Sequence, residues 1–299
     1  MNLLGSQDVD LVSALHIEED TYDATSNRTY DLLLIVLVTA ASIATYHNCI
    51  YFMLRTIFPS AFQKNKTLFK KGSYQFTNMT VNFILGVYGI YHYYHSVPHI
   101  ETVPITERIR GFPQFAIFGA LQTGYNLWSL PLGLIMQEPV AMMGHHIAVL
   151  CVGSLSCFSV HGFRYHAPFF FGVIEISSVP LSVMNFCRDH KDIMAPKFPI
   201  LCAAVRPVFA ITFLVVRVIL WLPQILDVLR ISGLLGYTCP SGDYACRTAI
   251  GSFWLSAFFL TLLQVFWGSL VVKGILSVVM GTGEAPTKKK QLKKVLKVG

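Results

Sequence analysis

Residues 32–54 read LLLIVLVTAASIATYHNCIYFML and contain no Asp, Glu, Lys or Arg. A helix of about 20 apolar residues, rising about 1.5 Å per residue, crosses the hydrocarbon core of a bilayer. This run therefore predicts a membrane-spanning helix. The whole chain agrees, because 54% of its 299 residues are apolar and only 13% are charged, against about 25% charged residues in a soluble domain. This composition excludes an ordinary soluble domain, and no basic, aromatic-rich polar stretch indicates nucleic-acid binding.

Further hydrophobic segments follow the first, so we predict an all-α membrane protein of about seven transmembrane helices around a central cavity. The predicted spans are 32–54, 74–95, 113–135, 139–160, 167–187, 200–226 and 251–280. Several begin near a proline, where the missing N–H costs least; these are Pro113, Pro139, Pro168 and Pro199. The chain then divides into an acidic N-terminal tail (1–31), the first helix with a basic loop (32–69), a six-helix domain (70–280) and a Lys-rich tail (281–299).

The positions of the basic residues predict the orientation, because cytosolic loops are enriched in Lys and Arg. A lumenal N-terminus and a cytosolic C-terminus place 15 of the 23 basic residues on the cytosolic side. These are Arg55, Lys64, Lys66, Lys70, Lys71, Arg188, Lys191, Lys197, Lys273 and the six lysines of the tail. Six lie on the lumenal side, namely Arg28, Arg108, Arg110, Arg164, Arg230 and Arg247. The glycosylation sequon that begins at Asn27 agrees with this orientation.

Cys239 and Cys246 lie in the loop after the sixth predicted span, which reads GYTCPSGDYAC. The predicted orientation places this loop in the lumen, where the redox compartment permits a disulfide. Two alternatives stay open at this point, a disulfide that closes a short loop or two unpaired thiols.

The fourth predicted span contains the pair His145-His146. Adjacent helical residues point about 100° apart, so the two rings cannot share one direction. Imidazole suits proton transfer or nucleophilic catalysis near neutral pH. In the alternative interpretation, both rings are packed and hydrogen-bonded between helices. A metal site is not expected, because adjacent positions on a helix do not let both rings ligate one ion easily.

The fifth predicted span carries one stripe of small and polar residues at steps of three and four. Its members are Gly172, Glu175, Ser178 and Ser182. Glu175 is either an acid/base group or a structural hydrogen-bonding anchor. Pro180 is expected to kink this helix just beyond the carboxylate.

The sixth predicted span contains Arg206 and Arg217, which lie on nearly the same face because they are about three turns apart. Arg217 is deep in the span and needs a partner. Glu175 is the only deep carboxylate that the predicted spans offer, so we expect the two residues to pair or to share a polar cavity. In the alternative interpretation, one of the arginines binds an anionic headgroup or a cofactor phosphate.

Asn82 and Asn126 add amide groups to the second and third predicted spans. Each amide is explained as a hydrogen-bonding link between helices. Together the polar stripes predict a central cavity ringed by the second to sixth helices. Its candidate lining residues are Asn82, Asn126, Ser178, Ser182 and Arg217, beside His145, His146 and Glu175. A lipid with a polar end fits such a cavity better than a soluble substrate does.

Two stretches, YNLWSLPLGLIMQEPVAMMGHHIAVLCVGSLSC (125–157) and FFFGVIEISSVPLSVMNFCRDH (169–190), resemble the TLC-domain family. This family is named after translocation-associated, longevity-assurance and ceroid-lipofuscinosis proteins. Its members carry a His pair and, further along, an acidic residue with Ser or Thr and then Pro. The matching residues here are His145-His146 and the run from Glu175 to Pro180. The later AVRPVFAITFLVVRVILW resembles the arginine-containing helix of the family, and the likeness covers roughly residues 70–280.

The resemblance implies a TLC-type helical bundle in a membrane of the endoplasmic reticulum. Ceramide synthases of this family acylate sphingoid bases from acyl-CoA with the His pair and two aspartates. Here Glu175 replaces one carboxylate, but Ser178 cannot supply the second, so the likeness is to the members that are not synthases. The function expected first is therefore binding or handling of an acyl chain or sphingolipid in membrane lipid homeostasis.

Two other functions stay open. One is an N-acyltransferase with acyl-CoA as co-substrate, in which His145 or His146 acts as nucleophile or base and Glu175 orients or protonates the ring. The other is a trafficking or cargo factor of the endoplasmic reticulum. Membrane lipids are the expected partners, a homodimer is left open, and no cofactor besides acyl-CoA and no metal are expected.

Overall fold

The structure is a computed structural model that describes residues 23–239 and 242–280. These two ranges form helices and connecting turns and contain no strand. The α-helices are α1 (Asp23–Ile57), α2 (Pro59–Lys64), α3 (Lys66–His95), α4 (Ile105–Arg110), α5 (Ala116–Met136), α6 (Val140–Phe158), α7 (Ala167–Phe170), α8 (Ser178–Asp189), α9 (Lys191–Lys197), α10 (Pro199–Leu214), α11 (Trp221–Thr238) and α12 (Tyr244–Val279). Short 3₁₀ turns lie at Pro113–Phe115, His161–His166 and Val173–Ser177, and a π-helical turn, Val215–Ile219, joins α10 to α11. The predicted tail 281–299 and the side chain of Asn27 lie outside what is described.

Within the described ranges, five helical stretches are long and apolar enough to cross a membrane. They are Arg28–Ile57, Val140–Phe158, His161–Asp189, Pro199–Gly236 and Tyr244–Val279. Helices α3 and α5 do not belong to this set although they have 30 and 21 residues. Both bury polar side chains, among them Asn82 and Asn126, that lower their hydropathy. The all-α membrane fold is confirmed, whereas the predicted count of seven spans is not.

Glycines let the helices approach closely at two crossings. A Cβ atom at Gly124 of α5 would lie 2.6 Å from the carbonyl oxygen of Val36 of α1. A Cβ atom at Gly89 of α3 would overlap the backbone of Gly172. Because glycine has no side chain, α5 approaches the backbone of α1 at the first crossing. At the second, α3 and the segment after α7 meet backbone to backbone.

The prediction of one continuous helix over 167–187 is wrong. The chain passes from α7 through the 3₁₀ turn Val173–Ser177 before α8 begins at Ser178. Pro180 provides one reason, because its ring clashes with the carbonyl of residue 176 in an α-helix and its nitrogen cannot donate to it. Glu175 consequently lies on the 3₁₀ turn, and the predicted single stripe from Gly172 to Ser182 is interrupted.

The predicted sixth span, 200–226, is longer in the structure and changes its helical geometry at Arg217. The π-helical turn is closed by a bond from the Leu220 N–H to the Val215 carbonyl oxygen, at 2.9 Å. Pro223 follows this turn and cannot donate to the carbonyl of Ile219, which disfavours a regular α-helix there. Arg217, within this turn, is buried, whereas Arg206, in α10, is exposed. The two arginines, predicted to lie on nearly the same face, thus have different surroundings.

At the end of α11, the structure has a disulfide between Cys239 and Cys246. Of the two alternatives left open by the sequence, the bonded one is present. The disulfide connects the C-terminal end of α11 to the first turn of α12.

Candidate functional site

A cavity of about 490 Å³ lies inside the helical bundle, and we call it the polar chamber. All the candidate site residues predicted from the sequence line it: Asn82, Asn126, His145, His146, Glu175, Ser178, Ser182 and Arg217. Its wall extends beyond the second to sixth predicted spans, because Trp267 and Leu270 of α12 also contribute. Arg188 lines the chamber and is exposed, so the chamber opens to the outside beside it.

Glu175 and Arg217 form a buried pair on the chamber wall, which confirms their predicted pairing. Arg217 Nη2 lies 3.6 Å from Glu175 Oε2. Arg217 donates from Nε to Ser177 Oγ at 2.6 Å and from Nη2 to Ser178 Oγ at 2.8 Å. Ser178 in turn donates to Glu175 Oε2 at 2.7 Å. The first residue of α8 thus places the Ser178 hydroxyl between the two charges, and the 3₁₀ turn places Ser177 against the guanidinium.

His146 is held by residues of α5 and by the loop before α6. Asn126 donates from Nδ2 to the Gln122 carbonyl at 2.8 Å, which leaves its Oδ1 to accept from His146 Nδ1 at 3.0 Å. The other ring nitrogen, Nε2, lies 3.4 Å from Glu138 Oε2. This arrangement orients the ring as the partner of a carboxylate.

His145 points in a different direction from His146, as expected for adjacent helical residues, and their ring centroids are 5.7 Å apart. The His145 ring meets Trp267 edge to face, with centroids 5.4 Å apart. Its Nδ1 is buried and has no hydrogen-bond partner among the described residues. A buried nitrogen of this kind is available to a ligand.

A path of hydrogen bonds connects the histidines' side of the chamber to Glu175. Gln122 donates from Nε2 to Glu175 Oε1 at 3.1 Å, and its backbone carbonyl accepts from Asn126, the partner of His146. One turn of α5 thus positions both His146 and the Glu175 carboxylate. The two residues belong to one site, and a change at either is transmitted through the same amides.

A second, narrow cavity, which we call the apolar channel, continues from the polar chamber. Three helical stretches line it, and in each the lining residues extend over about 11 residues, or about 16 Å along the helix. The three sets are His145, Val149, Val152 and Ser156 of α6; Arg217, Trp221, Ile225 and Val228 from the π turn and α11; and Phe253, Ala257, Leu260 and Gln264 of α12. His145 and Arg217 line both cavities and therefore mark where the channel meets the chamber. Beyond them the channel wall is mainly apolar as far as Ser156 and His166, so the polarity changes abruptly at this junction.

The far end of the apolar channel, which we call its foot, is formed by His166 and the residues that hold it in place. None of them is a candidate site residue predicted from the sequence. His166 lies 2.8 Å from Asp227, through Nε2 and Oδ2, and Arg108 also pairs with that carboxylate. The expectation that Glu175 is the only deep carboxylate is therefore wrong. Asp227 was missed because the predicted sixth span ended one residue before it, and the helix periodicity that continues to Thr238 is the signal that could have found it.

Two further polar residues of the site were also missed. Glu138 belongs to a short loop in the sequence, but the turn at Gln137, with φ of +57°, folds it back toward His146. Gln122 is not among the candidate residues predicted from the sequence, and its bond to Glu175 makes it part of the site. In both cases a contact between residues of different elements decides the role. Within the described ranges, no three His, Cys, Asp or Glu side chains are grouped as ligands for a metal ion.

Comparison with known proteins gives one match. A model of the TLC domain matches residues 68–273 of the chain, which include the polar chamber, the apolar channel and every residue of the foot. No curated protein and no solved structure matches the chain.

Proposed function

The chain belongs to the TLC-domain family, and we propose that it binds a membrane lipid, with the polar end in the polar chamber and an acyl chain in the apolar channel. By holding such a lipid it contributes to lipid homeostasis in its membrane, which we propose to be the endoplasmic reticulum. The observation that supports this function best is the abrupt change of polarity at the junction of the two cavities.

The length of the apolar channel suits an acyl chain. Its length of about 16 Å, from 11 helical residues, is about half of a hydrocarbon core of about 30 Å, which is the depth of one leaflet. Its free volume is about 50 Å³, the room of roughly four water molecules. Entry of a chain therefore requires side chains of the wall to move apart, including the rings of Phe170 and Trp221, which pack edge to face.

The polar chamber suits a head group that donates hydrogen bonds. Asn82 Oδ1 and Gln122 Oε1 are buried acceptors with no partner in the part of the chain that the structure describes. A buried acceptor without a donor is unfavourable, and a ligand hydroxyl or amide N–H would relieve this cost. We therefore propose a sphingolipid, which carries both groups, as the lipid class.

Lipid co-purification tests this function. The purified protein in mild detergent is expected to carry lipid that mass spectrometry identifies. Val149→Trp fills the channel with an indole ring and should reduce the lipid at least about tenfold, a loss of about 1.4 kcal/mol of binding free energy. Ile147→Trp is the control, because that side chain is on the exposed face of the same helix. Lipid-free wild-type protein, or equal lipid in the two variants, would contradict the proposal.

The free Nδ1 of His145 at the junction supports a second candidate, an acyl-CoA-dependent N-acyltransferase. In that reaction the amine of a sphingoid base attacks the thioester carbonyl and the C–S bond breaks. His145 takes the amine proton and passes it to the departing thiolate. In this candidate Glu175 is proposed to orient or protonate the ring.

Turnover of labelled acyl-CoA with sphingoid bases distinguishes the two candidates. An acyltransferase should form an N-acyl product that is lost in His145→Ala and in His146→Ala. His95→Ala, at an exposed position on α3, should retain it. Lipid co-purification without turnover in the wild type supports binding alone.

A further inference from the structure

The foot of the apolar channel is closed by a hydrogen-bonded side chain. His166 is 2% exposed and lines the channel. Its Nδ1 lies 2.8 Å from Gln224 Oε1, and its Nε2 lies 2.8 Å from Asp227 Oδ2. Both ring nitrogens thus have partners inside the protein, and the ring cannot rotate without losing two buried hydrogen bonds.

The partners of His166 are anchored in turn by other elements. Asp227 of α11 pairs with Arg108 of α4. Gln224 donates from Nε2 to the Tyr93 hydroxyl of α3 at 3.0 Å. The imidazole is therefore fixed to three separate helices, and its position is much more constrained than that of a side chain held by packing alone.

The walls above the foot are built differently. Val149, Val152, Ile225, Ala257 and Leu260 are apolar, so no hydrogen bond opposes their displacement. A chain that enters the narrow channel can push these side chains aside at a modest cost. The same chain meets a fixed ring at the foot, beside the stacked rings of Phe163 and Phe253.

We propose that His166, held by Gln224 and Asp227, limits the length of the acyl chain that the channel accepts. This inference rests on the proposed function, because it requires an acyl chain in the channel. With both nitrogens engaged, the ring offers no hydrogen bond to the ligand. The foot therefore suits the methyl end of an unmodified chain rather than a chain with a terminal hydroxyl or carboxylate.

The experiment compares the chain lengths of the lipids that co-purify with the full-length protein and its variants. His166→Ala opens about one helical turn of space, about 5.4 Å, and should lengthen the bound chains by about four carbons. Ala257→Phe lies one turn above Phe253 and should shorten them by about the same amount. Gln224→Leu keeps the ring but removes one of its anchors, so it should broaden the length distribution.

Phe258→Ala is the matched control, because Phe258 is next to Ala257 but on the exposed face of α12. It should leave the chain lengths unchanged. If His166→Ala does not fold, Ala257→Phe and Val228→Phe test the same limit from the opposite direction, both by shortening.

The outcomes separate the two proposals. Opposite shifts in the lengthening and shortening variants support the length limit. Bound lipid whose chain lengths are the same in the wild type, His166→Ala and Ala257→Phe would overturn the length limit and leave the proposed function intact. The absence of any lipid from the wild-type protein would overturn both.

Discussion

The Arg217 guanidinium and the Glu175 carboxylate hold two charges within an apolar bundle, each side chain being 8% exposed. Transfer of two charges out of water costs several kcal/mol per ion, and their attraction offsets this only when further hydrogen bonds satisfy both groups. Ser177 and Ser178 supply those bonds. The four side chains therefore behave as one unit, which is destabilised when one charge is removed without the other.

Replacement of Arg217 by Met is expected to destabilise the protein by about 3–5 kcal/mol, because Glu175 is left buried without its cation. Thermal unfolding in detergent measures the loss. Arg206→Met is the matched control on the exposed part of α10 and should leave the midpoint unchanged. Equal midpoints for the two variants would show that the pair contributes nothing to stability.

The double variant Glu175→Gln with Arg217→Met is expected to recover a large part of that stability, since it removes both buried charges together. The same thermal unfolding assay measures the recovery. A double variant that is as unstable as Arg217→Met alone would contradict the idea that the unpaired carboxylate causes the loss. Its lipid content should still fall, because the polar junction of the two cavities is weakened.

The Glu175–Arg217 pair could be predicted from the sequence because charged residues are rare inside apolar spans, so each one indicates a partner. The partners of His146 and His166 could not be predicted in this way. Glu138 is placed by one turn with positive φ, and Asp227 by a helix that continues beyond the predicted span. Such contacts depend on how distant elements meet, which hydrophobic periodicity does not encode.

Among the helices, the crossing of α3 with the broken segment before α8 positions the Glu175 carboxylate. Gly89 and Gly172 approach so closely that any side chain at either position would overlap the other backbone. The turn that carries Glu175 begins directly after Gly172. The crossing therefore sets how deeply the carboxylate lies in the bundle.

Gly89→Ala is expected to destabilise the protein by about 1–3 kcal/mol, because the methyl group forces the two backbones apart. Gly251→Ala is the control, since nothing lies within 4 Å of a Cβ atom at that position of α12. That control should be neutral or stabilising by up to about 1 kcal/mol, given the helix propensity of Ala. Chemical unfolding that ranks the two variants in the opposite order would contradict the backbone contact.

The long helices and their approximate ends follow from the hydrophobic segments of the sequence. Helix α6, predicted at 139–160, runs from Val140 to Phe158. The break at Gly172 and the π-helical turn at Arg217 could not be predicted in the same way. Both arise from prolines and close backbone contacts whose effect on a helix, a kink or a different helical turn, depends on the neighbouring elements.

At the scale of the whole molecule, the cavities have a direction. The polar chamber includes Lys71 and Arg188, which the charge distribution of the sequence assigns to the cytosolic side, whereas the foot of the channel includes residues of the predicted lumenal half. A lipid would then enter with its chain leading and its head group near the cytosolic surface. This sidedness remains a prediction from the loop charges.

Glycosylation and tail labelling in intact microsomes test the orientation. Asn27 should be glycosylated, and a tag after residue 299 should be accessible to protease or antibody without detergent. Asn27→Gln is the control for the glycosylation shift. A protected tail together with an unmodified Asn27 would invert the orientation and the direction of lipid entry.

The π-helical turn at Val215–Ile219 also has a consequence for insertions and deletions. A π turn is equivalent to an α-helix that contains one additional residue. Removal of one residue, for example Val218, should take out the additional residue of the π turn and change the helical phase at Arg217. Helices α10 and α11 could then keep their own contacts while Arg217 loses its position beside Glu175. Within a family of this fold, we expect sequences without the buried arginine to be one residue shorter at this turn. A single gap at this position in a sequence alignment would then distinguish chains that share only the bundle from chains that also have this site.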